Sequence, residues 1–148
     1  MRKFPATFFY ATALLILTAC ASSISAPTVQ NDPLAGTAWQ LEKIEYMNDT
    51  SLTPVDSRQY TIAFDTSGTV SVQADCNRLH GSYTFLAPSG IEFGALLSTR
   101  AACPPGSLYD TMVKDLPFVR SFVIKDGKLY LALMADGGIY QFSSITTQ

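Results

Sequence analysis

From residue 34 onward the chain is a succession of short segments in which every second residue is apolar, each closed by a cluster of turn-forming residues. Trp39 and Leu41, with Lys43 next in the alternation, share one face of a first segment; Tyr60, Ile62 and Phe64 share a face of the second, and Val70, Val72 and Ala74 of the third. Successive strand side chains point to opposite faces, so this spacing predicts half-buried strands. Between the second and third, Asp65-Thr66-Ser67-Gly68 has the composition of a tight reversal in which Gly68 takes positive φ. The pattern recurs. Tyr83 and Phe85 precede Ala87-Pro88-Ser89-Gly90, with Ile91 and Phe93 after it; Phe122 and Ile124 precede Asp126-Gly127, with Leu129, Leu131 and Leu133 after it; Asp136-Gly137-Gly138 leads to Tyr140 and Phe142. Consecutive hairpins of this kind predict a mainly β (α+β) fold, an antiparallel meander of about seven or eight strands, curled or barrel-like, because such a sheet buries one face only by curling or closing.

One segment departs from period two. Across residues 107–116, Leu108, Tyr109, Met112 and Leu116 recur at spacings of three and four, with Ser107 placed to cap the start and Pro117 to stop the end. This predicts one short helix across an open side or end of the sheet, with Tyr109 and Met112 packed into the core. At 148 residues and 47% hydrophobic content the chain is the size of one domain. Its 10 basic and 12 acidic residues give no electrostatic footprint for nucleic acid.

The amino terminus is read separately. Met1-Arg2-Lys3 is cationic, the run to Leu17 is apolar but too short to cross a bilayer, and it ends in Leu17-Thr18-Ala19-Cys20. That ending resembles the bacterial lipobox, which implies cleavage before Cys20 and attachment of several acyl chains, palmitate among them, to that residue. More than one chain anchors a protein stably where one does not. Residues 1–19 are then a lipoprotein signal peptide, residues 20–33 a lipidated, proline-marked flexible tether, and residues 34–148 the β domain. Loss of Arg2 and Lys3 leaves 8 basic against 12 acidic residues, a formal charge of −4, so lipid and not charge would hold the chain to a membrane. Ala21 after the cysteine resembles the outer-membrane sorting class. The expected location is the bacterial cell envelope, at the outer membrane facing the periplasm.

With Cys20 lipidated, Cys76 and Cys103 remain as an even pair in an oxidising compartment, where a disulfide is the expected state. The metal alternative draws on Cys76, Cys103 and His80. It lacks the four clustered ligands of a structural zinc site, so neither metal nor cofactor is expected.

Cys76-Asn77-Arg78-Leu79-His80-Gly81-Ser82-Tyr83 and Ser98-Thr99-Arg100-Ala101-Ala102-Cys103-Pro104 resemble the two signatures of the META domain family, which includes the HslJ-like envelope lipoproteins. Gly36-Thr37-Ala38-Trp39, the helix after the second cysteine and Asp126-Gly127-Lys128-Leu129-Tyr130-Leu131 follow in the same order. The resemblance implies an antiparallel β domain with one helix and supplies no established reaction or ligand. Within the motifs, Asn77, Arg78, Gly81, Thr99 and Arg100 are candidates for a binding or structural role. Asn77 suits a left-handed backbone or accepts backbone bonds, Gly81 frees the chain to leave that loop, and the two arginines suit clamps on backbone carbonyls or forks for an anion.

Catalysis would have to recruit His80, the single histidine, with Ser82, Ser98 or Thr99 and Asp75. There is no Gly-x-Ser-x-Gly elbow and no framed carboxylate pair, so the expectation is a protein without catalytic residues. The leading reading is a non-enzymatic envelope lipoprotein, stress- or envelope-related, whose β domain binds or stabilises something at the membrane surface, with an envelope protein as a candidate partner. Two alternatives are an inhibitor of an envelope hydrolase such as lysozyme, with residues 53–59 or 78–82 as a protruding loop, and a barrel carrying a small apolar ligand. The last requires an interior not filled by Trp39, Phe64, Tyr83 and Phe122.

Overall fold

Each turn cluster reverses the chain, and the strands between them pair with their neighbours until the sheet meets itself. The computed structural model describes residues 31–145. Its strands are β1 (Thr37–Glu45), β2 (Ser51–Leu52), β3 (Tyr60–Phe64), β4 (Thr69–Ala74), β5 (Asn77–Leu86), β6 (Gly90–Phe93), β7 (Leu97–Ser98), β8 (Val119–Lys125), β9 (Lys128–Leu133) and β10 (Ile139–Ser144). They are joined in the order β10-β9-β8-β6-β5-β4-β3-β1, and β1 pairs again with β10, which closes an eight-stranded antiparallel barrel. The two-residue strands β2 and β7 lie outside the ring, on β1 and β5.

The apolar faces read from the sequence point inward. Trp39, Leu41, Ile62, Phe64, Val70, Val72, Tyr83, Phe122, Leu129, Leu131, Tyr140 and Phe142 are all buried in one core. One expectation is corrected: Lys43 does not continue the face of Trp39 and Leu41. The register against β10 shifts between Leu41 and Lys43, so Glu42 is the extra residue of a β-bulge and Ile44 takes the next inward position. The bulge sends Glu42 outward to Lys128 Nζ on β9 and Gln141 Nε2 on β10, each at 2.5 Å. The hydrogen bond from Lys128 holds the Glu42 carboxyl below its ordinary range.

The barrel has two ends, and each is closed by chain from outside the ring. At the end holding the 65–68 turn, Leu34 is fully buried, Gly36 N–H donates to Phe64 O, and Asp32 accepts from the Tyr83 hydroxyl at 2.6 Å. Asp32, which the sequence reading put in the tether, is thus bonded to a barrel strand. Burial first, and Asp32 second, push the Tyr83 phenol upward.

At the opposite end lies the single α-helix among the described residues, α1 (Tyr109–Asp115). It is shorter than the predicted 107–116. Leu108 occupies the position before the first turn, Ser107 Oγ accepts from the Tyr109 N–H, and Leu116–Phe118 continues as a 3-10 turn containing Pro117. Met112 enters the core as expected and Leu116 joins it, whereas Tyr109 is only partly buried, packed against the core with its hydroxyl on Ser98 and Thr99. Three tyrosine hydroxyls on the rim hold this segment: Tyr60 accepts from the Leu108 N–H at 3.0 Å, while Tyr46 and Tyr140 donate to Asp115 Oδ2 at 2.5 and 2.9 Å.

Candidate functional site

A two-residue turn, Asp75-Cys76, joins β4 to β5 at the helix end. Of the two roles the sequence offers Asn77, the left-handed conformation falls to Asp75, with φ of 57°, and Asn77, the first residue of β5, takes the other and accepts a backbone hydrogen bond. Its side chain is completely buried, and an amide there must find partners for both ends. It does so on the segment carrying the second motif. Asn77 Oδ1 accepts from the Ala101 N–H at 2.7 Å and from Thr99 Oγ1 at 2.9 Å, and Nδ2 donates to Ala101 O at 2.9 Å. Nδ2 also lies 3.3 and 3.4 Å from the sulfurs of Cys103 and Cys76, which are joined as a disulfide with Cα atoms 5.5 Å apart. Thr99 closes the arrangement: its Oγ1 accepts from the Arg78 N–H, and its own N–H donates to Arg78 O.

Gly81 has a steric role. It sits within β5, where the chain does not leave the sheet as the sequence reading expected, and a Cβ there would stand 2.5 Å from Ala95 O and 2.9 Å from a Leu96 methyl. The segment that returns from β6 toward Thr99 runs alongside β5 and comes closest at this point, and only a residue without a side chain admits it. The residues 78–82 are therefore strand and not a protruding loop. Neither arginine clamps a backbone carbonyl: Arg78 Nε donates to the Gln73 side chain, and exposed Arg100 forms no side-chain hydrogen bond among the described residues.

The two motifs brought together in this way hold an irregular, exposed stretch, residues 99–107, against the barrel rim. Tyr109 Oη donates to Thr99 O at 3.0 Å from below. Beside it stands the loop 53–59, which keeps its expected protrusion: Val55 is 96% exposed. A cleft of about 210 Å³ separates the two loops, lined by Val55, Gln59, Tyr60, Pro104 and Ser107, with Asp56 at its edge. The Arg58 guanidinium grips Asp56 through two bonds and holds its carboxyl below the usual carboxylate range. His80 is on the outer face of β5, with Nδ1 3.1 Å from Ser71 Oγ and away from both sulfurs' hydrogen bonds. No cluster of three metal-ligating side chains occurs among the described residues. Ser82, Ser98 and Asp75 do not converge on His80 through any hydrogen bond in the described structure.

Sequence reasoning missed two parts of this end. The Tyr46–Asp115–Tyr140 cluster joins residues far apart in the chain, and nothing in their local spacing announces it. The cleft needs the 53–59 and 99–107 loops to meet, which follows from barrel closure alone. Burial is the larger cause, and Asp115 the second, of the upward push on Tyr46 to about 12; Tyr140 is pushed up in the same direction by burial and by Asp115.

The fold and this latch define a small, disulfide-tied, antiparallel β barrel stoppered by one helix. The META domain family model matches residues 32–145, and the chain belongs to that family. An NMR structure of a protein from Burkholderia xenovorans is similar with a TM-score of 0.66 at 24% identity, covering 84% of this chain and 97% of that one. The crystal structure of a DUF4847 family protein from Bacteroides vulgatus ATCC 8482 is similar with a TM-score of 0.56 at 11% identity, covering 78% and 97%. At these identities the likeness is one of fold. No curated protein matches the chain.

Proposed function

We propose that the protein is a non-enzymatic, HslJ-like lipoprotein of the bacterial envelope whose barrel binds a protein partner through the loops at its helix end. The observation that carries this reading is the latch: a disulfide and a fully buried asparagine hold the exposed stretch 99–107 in one conformation. Pre-ordering a surface loop lowers the entropy cost of binding. The chain reaches the barrel through Asp32 and Leu34 at the other end, so an anchor on Cys20 leaves the loop end facing away from the lipid. Cys20 and the 1–19 signal lie outside the described residues. Their support is the lipobox-like ending and the disulfide, which suits an oxidising compartment. The packed interior, with Trp39, Phe64, Tyr83 and Phe122 all buried, argues for a surface function over carriage of an apolar ligand.

A photo-crosslinking residue placed at Val55 or Ala102 in intact cells is expected to capture a discrete protein adduct, and one placed at Ser143 on β10 is not. Equal capture at all three positions, or none at the loops, refutes the partner reading. In the same cells Cys20→Ala is expected to release the protein from the membrane fraction, and full retention would contradict the anchor. One narrower form is inhibition of an envelope hydrolase such as lysozyme, favoured by the exposed apolar tip at Val55. An unchanged rate of cell-wall lysis by lysozyme when the protein is in molar excess over the enzyme would remove it.

A further inference from the structure

The outward side chains of β1, β3, β4 and β5 form a second surface, and of these residues Arg78 joins the latch through its backbone alone. Its side chains stand in two cross-strand rows. One row runs Ala38, Ala63, Ser71, His80, each paired with the next on the neighbouring strand. The other runs Gln40, Thr61, Gln73, Arg78. The first row is small until it reaches His80, so it forms the floor of a trough with the second row as its wall. Two hollows of about 520 and 370 Å³ open along it side by side, with Ala63 and Ser71 lining both. Three strand spacings give a floor of about 14 Å from β1 to β5.

The trough is chemically uneven along its length. Gln73 accepts from Arg78 Nε at 2.9 Å while donating to Asp75 O, which fixes the guanidinium over one end. The Ser71–His80 contact engages Nδ1 and leaves Nε2 unengaged among the described residues. No carboxylate lines the hollow between Thr61 and His80, and Asp65 stands at the opposite end near Ile145. Arg78 at the β5 end and Asp65 at the β1 end are the trough's two formal charges, so positive charge is confined to the β5 end.

The partner classes separate on this chemistry. One arginine and one histidine are too few for a run of nucleic-acid phosphates. An extended peptide would seek free backbone groups and apolar pockets, but β3 and β4 are paired on both sides and the floor is made of small residues. Hydroxyl side chains that both donate and accept, such as Thr37, Thr61 and Ser71, match sugar hydroxyls. A guanidinium fork matches a carboxylate. The geometry points to a binding site for a short acidic oligosaccharide laid across β1, β3, β4 and β5, its carboxylate at Arg78 and His80 and its hydroxyls along Ser71, Thr61 and Thr37. This site is separate from the partner-binding loops and stands whether or not they bind a protein.

Calorimetric titration of the full chain in detergent tests it, using trigalacturonic acid, a hyaluronan hexasaccharide and a muramic-acid disaccharide. Neutral triacetylchitotriose and inorganic phosphate serve as the sugar without charge and the charge without sugar. At least one acidic sugar is expected to bind saturably, and roughly tenfold more tightly than either control. Arg78→Gln, which removes the cation, and Ala63→Gln, which fills the exposed floor, are each expected to weaken that binding roughly tenfold with the unfolding midpoint kept. The proposal is overturned if none of the three acidic sugars binds, if phosphate binds as tightly as the sugar, or if Ala63→Gln binds like the unmodified chain.

Discussion

Asn77 carries more of the second half of the molecule than its size suggests. Its amide satisfies the Ala101 N–H, the Ala101 carbonyl and the Thr99 hydroxyl at once, from a completely buried position. Asn77→Ala leaves those groups without their partner, and each orphaned polar group costs about 1–3 kcal/mol. We expect a loss of about 2–4 kcal/mol, read as a lower urea midpoint at unchanged slope, because water reaches part of the exposed loop and offsets some of the penalty. Asn77→Asp keeps the shape and the acceptor but loses the donor to Ala101 O, so it too should destabilise. Gly81 fails differently. With Ala95 O only 2.5 Å from its would-be Cβ, Gly81→Ala displaces backbone, and a cost of about 1–3 kcal/mol is expected by the same measurement. Both residues were conspicuous in the sequence as parts of a motif. For Asn77 the sequence left two roles open, a left-handed backbone and an acceptor of backbone bonds, and only the segment opposite decides for the second.

At the scale of elements, α1 is too short to be stable alone, and its anchorage to the barrel rim decides its place. Asp115 accepts from Tyr46 and Tyr140, and these phenols, with Tyr83 at the other end, resist ionisation in the folded protein. In the unfolded chain a tyrosine releases its proton near its ordinary value of about 10. Above that pH the unfolded state binds fewer protons than the folded one, so stability falls as pH rises. Their contribution is fully present below about pH 10 and is lost as pH climbs through the raised folded values, which for Tyr46 lie at about 12. Urea midpoints measured from pH 8 upward should therefore be level at first and then decline. Tyr140→Phe should lower the midpoint at pH 8, because Asp115 keeps one donor, and should make the alkaline decline shallower. An equally steep decline in the variant would mean that the cluster does not set it. The bulge at Glu42 belongs to this scale as well. It breaks the period of two inside β1, which is why alternation pointed to Lys43 while the structure buries Ile44.

For the whole molecule, the barrel closes through β1 and β10, near the two ends of the described chain, and the disulfide ties residues 27 apart across the helix end. A loop of that length removes denatured-state entropy worth about 3–4 kcal/mol in the chain-entropy model. Replacing both cysteines with serine should lower stability by about that amount while the barrel still folds, since the ring itself is held by strand pairing and a common core. Urea unfolding of the double variant, with circular dichroism to confirm the sheet, checks both halves of this expectation. A variant that loses the sheet would place the latch among the conditions for folding. Replacing only one cysteine leaves a free thiol and is the poorer experiment.

The sequence by itself determined most of the strand faces and turns and the short helix, because each follows from local periodicity or turn chemistry, and it singled out Cys76 and Cys103 as a pair only through the lipobox-like ending that sets Cys20 apart. It also placed Asn77, Arg78, Gly81, Thr99 and Arg100 in one set, through resemblance between separated motifs and not through any contact it could express. Tertiary structure decided the rest. Closure of the sheet settled which residues meet: Asp115 with Tyr46 and Tyr140, Asp32 with Tyr83, the 53–59 loop with the 99–107 stretch, and Ala38, Ala63 and Ser71 as one floor. Those meetings depend on register summed over several strands, and a single bulge or crossing shifts every one of them, so no local reading of the chain contains them.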